Sequence, residues 1–287
     1  MAGSTTDTLN DLLPQIVAEA QYQAEERSIM RGLVKNFVIP PGNGKTLLVP
    51  VWEKQNVDAS WTEGGEIANT AVNTTGTTLT VNPIGIRTLV TDFAVNSAAT
   101  NVVADLGKLF GEAIARKIDT DLTAKFASFT TNVVGSSTST ITAADVFKAV
   151  TLLRRQGVAS DQIACVLHPD IAYDLKAALT TSGNTPYVAN AMGDVANEAM
   201  RMGFVGMLAG VPVYETSNMA NTGTAGDYKG GVFMRDALAL ALMKDISLET
   251  QRRASYAGTD IVGTAYYATG VIQEIYGVQM LFDSSIV

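Results

Sequence analysis

The sequence predicts an α+β fold. Apolar residues recur at helical spacing near the N-terminus and again over a long central stretch. Helix and strand signals alternate in the middle of the chain, and period-two strands crowd its last quarter. In order, the chain reads as helix, strand, projecting hairpin, long helix, α/β segment, then strands. Its 287 residues allow one large domain or two modest ones, and a core that needs no staples.

Residues 7–31 carry Leu9, Leu12, Leu13, Ile16, Val17, Ala20 and Ala24 at three- and four-residue steps. Asp7 is a candidate cap, Pro14 a first turn or kink, and Gly32 a stop. Pro40-Pro41-Gly42-Asn43-Gly44 is a turn cluster. Residues 45–53 come next as a strand: Leu47, Val49 and Val51 alternate with Leu48, Pro50 and Trp52, so both faces are apolar. Residues 71–81 have β propensity but almost no core-forming bulk, which predicts a hairpin that finds its partner outside its own chain. Residues 91–129 form the longest helical pattern, with Thr91 or Asp92 as cap. Leu106, Phe110, Ile114, Ile118, Leu122 and Phe126 recur in steps of four. Each step advances about 400°, so the stripe turns by about 40° and meets different neighbours along the helix.

The Ser/Thr run at 135–140 is a linker or turn. Thr142 caps a helix over 143–156, with Asp145 in its first turn and Gly157 as its stop. Residues 163–167 are a short buried strand, and Pro169 opens a helix to about residue 180. Residues 195–202 suit a short helix. Residues 204–214 hold strands broken by Gly206, Gly210 and Pro212, and 218–226 a small-residue loop. Strands are expected over 232–235, 237–243, 246–252, 264–274 and 278–282.

Composition excludes several functions. Charged residues are only 17%, where about 25% is usual. A monomer of this size needs those charges to stay dissolved, so other protein is expected to cover much of the surface. One His and one Cys cannot build a zinc site or an internal disulfide. No cofactor site and no metal site is expected. A net charge of −8 argues against general nucleic-acid binding. No apolar run approaches a membrane span, and the Ser/Thr-rich acidic start is no signal peptide.

The remaining chemical motifs are weak. Gly42-Asn43-Gly44-Lys45-Thr46 resembles the end of a phosphate loop, but Ile39 stands where the first Gly belongs and a strand comes after it. Cys165 and His168 are three apart on a strand, and so face opposite sides. Asp119 and Asp121, with Glu112 upstream, do not share a helical face and read as solvated. Asn73-Thr74-Thr75 matches a glycosylation sequon without any sign of secretion. Residues 221–226 read as a surface loop in preference to a ligand loop. Met192, Met200, Met202, Met207 and Met219 are core filling or an adaptable interface. The chain is therefore not expected to be an enzyme; a small-molecule enzyme with an unrecognised site is a distant alternative.

The chain resembles the major capsid proteins of tailed bacteriophages, with the HK97-type shell fold, along nearly its whole length. The resemblance rests on Ala59-Ser60-Trp61-Thr62-Glu63-Gly64-Gly65-Glu66, similar to the start of the family's E-loop, and on residues 111–122, similar to its spine helix. Val166-Leu167-His168-Pro169-Asp170 is similar to a strand–helix step of the A-domain. Gly210-Val211-Pro212-Val213-Tyr214 with Ser217-Asn218, and the strand block 237–282, complete the order. The resemblance implies an N-terminal arm at 1–36, a P-domain strand at 37–54, and an extended E-loop hairpin at 55–88. It implies a P-domain spine helix at 89–134, an α/β A-domain at 135–244, and P-domain strands at 245–287.

The function implied is a structural shell protein that self-assembles as pentamers and hexamers into an icosahedral head enclosing double-stranded DNA. An encapsulin-type shell around cargo enzymes is the alternative. The implied partners are copies of itself, a separate scaffolding protein, portal and possible decoration proteins, and DNA bound without sequence specificity. No membrane is involved; the place is the virion capsid, assembled in the host cytoplasm. Some relatives link subunits covalently through an E-loop Lys. Residues 55–88 contain none, so no such bond is expected. The candidate inter-subunit contacts are Trp61, Glu63, Glu66, Arg252 and Arg253. The loop start is acidic, with Asp58, and Arg87 is the segment's only base; Arg252-Arg253 is the adjacent basic pair in the region it would overlie. Either Glu63 or Glu66 pairs with one of these arginines across the boundary, or all these charges are simply solvated.

Overall fold

Three β-sheets and one 22-residue helix organise the computed structural model, which describes residues 28–40, 42–53, 55, 64–66, 71–93, 102–159, 162–181, 204–222 and 226–286. The expected helix at 7–31 falls outside these residues up to 27. Its C-terminal end coincides with a one-turn helix, α1 (Met30–Leu33), which contains Gly32.

A four-stranded sheet has the order β1-β10-β11-β4, from β1 (Lys35–Val38), β10 (Leu238–Arg253), β11 (Gly258–Val271) and β4 (Asn82–Thr91). The strands expected at 237–243 and 246–252 are one strand, β10, whose register with β11 shifts between Leu242, Lys244 and Ser247. An irregularity of this kind bends a strand without ending its ladder. β4 begins Asn82-Pro83 at the sheet edge, where a proline costs no ladder bond.

One face of this sheet receives α2 (Val102–Thr123), which continues as a 3₁₀ turn, Ala124–Ser128. The rotating stripe behaves as its spacing requires. Phe110, with Leu106 at the margin, packs against Val90, Leu248 and Ile261. Ile114, Ile118, Leu122 and Phe126 pass to a second cluster, with Leu238, Leu240, Ala265, Tyr267, Val166 and Phe233. The helix thus bridges two sheets. On the opposite face of the four-stranded sheet, Ala239, Ala241 and Ala268 meet Ile39, Leu79 and Val81, with Phe37, Met243 and Tyr266 packed at the margin.

Leu79 belongs to a two-stranded hairpin of β2 (Thr46–Trp52) and β3 (Thr74–Thr80), paired Leu47↔Leu79, Val49↔Thr77 and Val51↔Thr75. The stretch expected as one P-domain strand over 37–54 is therefore two elements. β1 joins the four-stranded sheet; the turn at Gly42 and Gly44, at φ 96° and 80°, reverses the chain. β2 then forms the hairpin's first arm, because its ladder partner is the Thr-rich β3. The described arms of the hairpin are Thr46–Trp52 and Thr74–Thr80; Lys54, between them in sequence, lies outside the described residues.

The third sheet has six strands in the order β5-β12-β9-β6-β8-β7. They are β5 (Val133–Ser136), β12 (Gly277–Asp283), β9 (Asp227–Met234), β6 (Ile163–Leu167), β8 (Val211–Glu215) and β7 (Phe204–Leu208). β6 is buried throughout, as its apolar run predicts. α3 (Ala143–Arg155) and α4 (Pro169–Thr181) cover one face through Val146, Val150, Leu153, Ile171 and Leu175. Thr142 and Asp145 form a reciprocal capping box at the start of α3, with the Thr142 N–H donating to Asp145 Oδ2 at 3.0 Å. Ala209 and Gly210, both at positive φ, make the two-residue turn between β7 and β8. β12, grouped by sequence with the returning P-domain strands, lies here between β5 and β9 and buries Val278, Met280 and Phe282. The expected helix at 195–202 lies outside the described residues.

Candidate assembly surface

The hairpin has two apolar faces, and only one is covered. Leu47 and Val49 turn toward the four-stranded sheet beside Leu79, which is 3% exposed. The alternate residues, Leu48, Pro50 and Trp52, point away, with Leu48 63% and Trp52 69% exposed. Their ladder partners are Thr78, Gly76 and Thr74. A Cβ on Gly76 would sit 2.8 Å from Leu48 Cδ1, so Leu48 lies down over the glycine. The result is a short apolar stripe on a flat ribbon. A two-stranded ribbon is marginal on its own, and a buried Leu or Trp contributes roughly 1.5–3 kcal/mol, so a surface that covers this stripe is strongly favoured.

Further apolar side chains stand at the edges of the four-stranded sheet. Val38 on edge strand β1 is 77% exposed, and Phe93, just beyond β4, is 82% exposed. Near Phe93, the Asp92 N–H donates to Ala257 O at 2.8 Å, which brings exposed Tyr256 to the same end of the sheet.

That end also holds the arginines singled out from sequence. Arg252 binds Asp92 in a bidentate fork, at 2.5 and 2.7 Å. The hydrogen bonds from Arg252 hold the Asp92 carboxyl below its usual range, but both groups are exposed and the pair is screened. Arg253 Nε lies 2.5 Å from Asp260 Oδ2. Asp260 is buried, and Arg87 reaches it from β4 at 2.9 and 3.1 Å. The neighbouring arginines thus take different partners, as opposite strand faces require, and both are engaged within their own chain. Glu66 is exposed. Trp61, Glu63 and Asp58 lie outside the described residues.

The chemical motifs dissolve into structure. Cys165 is buried, and burial pushes its thiol up to about 12. His168 stacks on Tyr228 with ring centroids 3.6 Å apart, and the Asp170 N–H donates to its Nδ1 at 3.3 Å. Met219 is buried and Met207 exposed; Met192, Met200 and Met202 are outside the described residues. Among the described residues no three His, Cys, Asp or Glu side chains gather as a metal site, and no helix is long and apolar enough to cross a membrane.

Asp119 corrects the reading of a solvated helical face. It is fully buried, and accepts hydrogen bonds from Ser28 Oγ at 2.8 Å and the Ile29 N–H at 3.2 Å. Desolvation raises its carboxyl above the ordinary value, against these donors. Asp119 therefore anchors the segment that leads into α1. Asp121 on the same helix accepts from Lys117 Nζ and Tyr267 Oη, each at 2.7 Å. No local signal marks Asp119, whose partners stand some ninety residues away in sequence. The Leu48–Pro50–Trp52 stripe does carry a signal, the apolar alternation on the strand's second face.

A family model described as phage capsid protein matches residues 73–279, well over half of the chain. No curated protein sequence matches. Among solved structures, the chain is similar to the capsid of Cyanophage P-SCSP1u, with 17% identity over 90% of this chain and 89% of that one, at a TM-score of 0.71. It is also similar to the mature capsid of bacteriophage PhiM1, with 15% identity, 91% and 88% coverage and a TM-score of 0.66. A third likeness is to the holo-SrpI encapsulin complex of Synechococcus elongatus PCC 7942, with 11% identity, 88% and 86% coverage and a TM-score of 0.62. At these identities the structures speak to the fold, and the family match speaks to the kind of protein. The chain belongs to the phage capsid protein family and is a shell protein with the HK97 fold.

Proposed function

We propose that copies of this chain assemble as pentamers and hexamers into the icosahedral head of a tailed bacteriophage, which encloses double-stranded DNA. The observation that carries this reading is the uncovered stripe of Leu48, Pro50 and Trp52 on a hairpin whose other face is anchored to its own subunit. A ribbon held at one face and bare at the other suits a contact with a neighbouring copy. In this reading the four-stranded sheet with α2 is the P-domain, the six-stranded sheet with α3 and α4 the A-domain, the hairpin the E-loop, and residues 1–36 an N-terminal arm. A separate scaffolding protein guides assembly in the host cytoplasm, a portal and decoration proteins complete the particle, and DNA is held without sequence specificity. The role is structural, with no catalytic step. An encapsulin-type shell is the second reading, favoured by the shared fold with the cyanobacterial encapsulin; a co-purifying cargo enzyme in place of a genome would establish it.

At the subunit boundary, Glu63 or Glu66 of one copy is proposed to pair with Arg252 or Arg253 of the next. Because Asp92 and Asp260 already hold these arginines, the incoming carboxylate joins an existing pair, and a rim contact contributes about 0–1 kcal/mol. The test is assembly of charge-reversed variants. Glu63→Arg or Glu66→Arg lowers shell yield, and Arg252→Glu or Arg253→Glu in the same chain restores part of it; no rescue in any combination sinks the pairing. For the stripe, Leu48→Asp with Trp52→Asp leaves subunits folded but unassembled; shells formed at wild-type yield would reject the stripe as a contact.

A further inference from the structure

Among the described residues, one buried side-chain polar atom has no hydrogen-bond partner: Asp227 Oδ1. Its residue is 3% exposed. Native chains rarely leave such an atom orphaned, and an unseen water or ion is the usual reason. The surroundings decide between them. Asp227 opens β9, and directly opposite on β12 stands Asp283. The Ser284 N–H donates to Gly226 O at 3.0 Å, while the Asp283 N–H turns the other way, to Ser139 O at 3.0 Å. Asp227 and Asp283 therefore form a non-hydrogen-bonded cross-strand pair, the closer kind, with Cα atoms about 4.5 Å apart and both side chains on one face. Two like charges in that position repel, and one of them is out of water.

No described cation offsets them. Lys229 lies on the same face two residues along β9, and Lys125 on the 3₁₀ turn packed against β9 and β12; neither forms an ion pair with Asp227 or Asp283. Lys229 instead lines a small cavity of about 190 Å³ with Thr123, Asn221 and Thr222. The corner is rich in oxygen donors. Thr222 bonds the Asp227 carbonyl through both its N–H, at 3.1 Å, and its hydroxyl, at 3.3 Å; Ser284, next after Asp283, is buried and its Oγ accepts from the Ile286 N–H at 3.1 Å.

We propose that Asp227 and Asp283 bind a hard divalent cation, best matched by Ca²⁺, which clamps the end of β12 to the start of β9. Ca²⁺ accepts six to eight oxygens in loose geometry, so two carboxylates can be completed by backbone oxygens, a hydroxyl and water. Mg²⁺ demands a stricter octahedron and dehydrates reluctantly, so it fits less well. With only two carboxylates the site is weak, at about 10⁻⁴–10⁻³ M, the range of low-affinity calcium modules.

The test is thermal unfolding of the purified full chain, first stripped with chelator and then returned to millimolar Ca²⁺. Wild type gains about 2–4 °C in Tm, Mg²⁺ gives less, and Asp227→Asn and Asp283→Asn each lose the gain. Tb³⁺ provides a second measurement that needs no variant: its luminescence, excited through tyrosine, is displaced by Ca²⁺ at millimolar concentration, with Tyr228 adjoining the site. An equal Ca²⁺ gain in wild type and both variants overturns the proposal, because it marks diffuse binding to a chain of net charge −8. Absence of any Ca²⁺ effect overturns it in favour of a bound water. None of these outcomes bears on shell assembly.

Discussion

Leu79→Ala tests whether the hairpin is held by its own subunit. Leu79 is 3% exposed and packs into a bay of Ile39, Ala239, Ala241 and Ala268. The bay exists because residue 270 is glycine: a Cβ there would lie 2.2 Å from Leu79 Cδ2. The residues of the four-stranded sheet directly under Leu79 are alanines and a glycine, with Phe37, Met243 and Tyr266 only partly buried at the margin, so truncation leaves a cavity and loses the side chain's transfer energy. A buried Leu→Ala change costs about 2–5 kcal/mol, and the rigid small-residue floor puts this one near about 3 kcal/mol. Val81 and the half-buried Leu47 and Val49 remain as lesser anchors. The loss therefore falls on hairpin docking more than on global stability. About 3 kcal/mol corresponds to roughly a hundredfold rise in the population of undocked hairpin. Hydrogen exchange of unassembled subunits reads this directly: amides of β2 and β3 exchange about a hundredfold faster, while those of β6 and β9 are unchanged. Leu48→Ala, on the bare face, leaves exchange as it is and lowers assembly. Intact hairpin protection in Leu79→Ala, or equal behaviour of the two variants, refutes this anchoring.

Asp260→Ala leaves Arg87 and Arg253 facing each other without their buried acceptor; partial exposure of both arginines lowers the usual cost of such a break to about 2 kcal/mol, read from the urea midpoint. Glu274 accepts from Thr130 and Thr131 through both hydroxyls and both N–H groups, and the Thr130 hydroxyl leads in holding its carboxyl below the ordinary value. Its stabilisation is therefore present above the unfolded value, near about 4.3, and lost as pH falls through the lower folded value; Glu274→Gln shrinks that acid loss. Asp119 has the opposite sign, because burial raises it. Its stabilisation is full below the unfolded value, near about 3.9, and lost as pH rises through the folded value, so Asp119→Asn gains on wild type as pH increases. Urea midpoints from pH 3 to 7 check both, and parallel curves for wild type and variants contradict them.

The parts of the fold legible in the sequence are those written in neighbouring residues. Thr142 and Asp145 meet across one helical turn, so the capping box can be read from their spacing alone. The stripe from Leu106 to Phe126 needs only the helix pitch to show that it rotates, and its division between two clusters is a consequence. The rest is non-local. The second apolar face of β2 has the composition of core, yet Leu48 and Trp52 are exposed, and alternation along one strand does not say which of its two faces is covered. Strand β12 resembles its neighbours in composition, and only its ladders with β5 and β9 assign it to the six-stranded sheet. Asp119 has the pattern of a solvated residue because helical spacing speaks only of neighbours within a turn, whereas its donors arrive from Ser28 and Ile29. The adjacency of Arg252 and Arg253 on a strand is enough to turn them opposite ways, but their own-chain partners, Asp92 just beyond β4 and Asp260 on β11, stand at positions that pattern alone does not join.

The measurement that bears most directly on the shell reading is electron microscopy of the purified chain, expressed alone and with the scaffolding protein proposed above, alongside sedimentation of the same samples. Closed particles of icosahedral symmetry are expected, built from pentamers and hexamers, with the hairpin of each subunit laid on a neighbour and Leu48 and Trp52 at the contact. A compact monomer under every condition tried, scaffold included, would contradict the account.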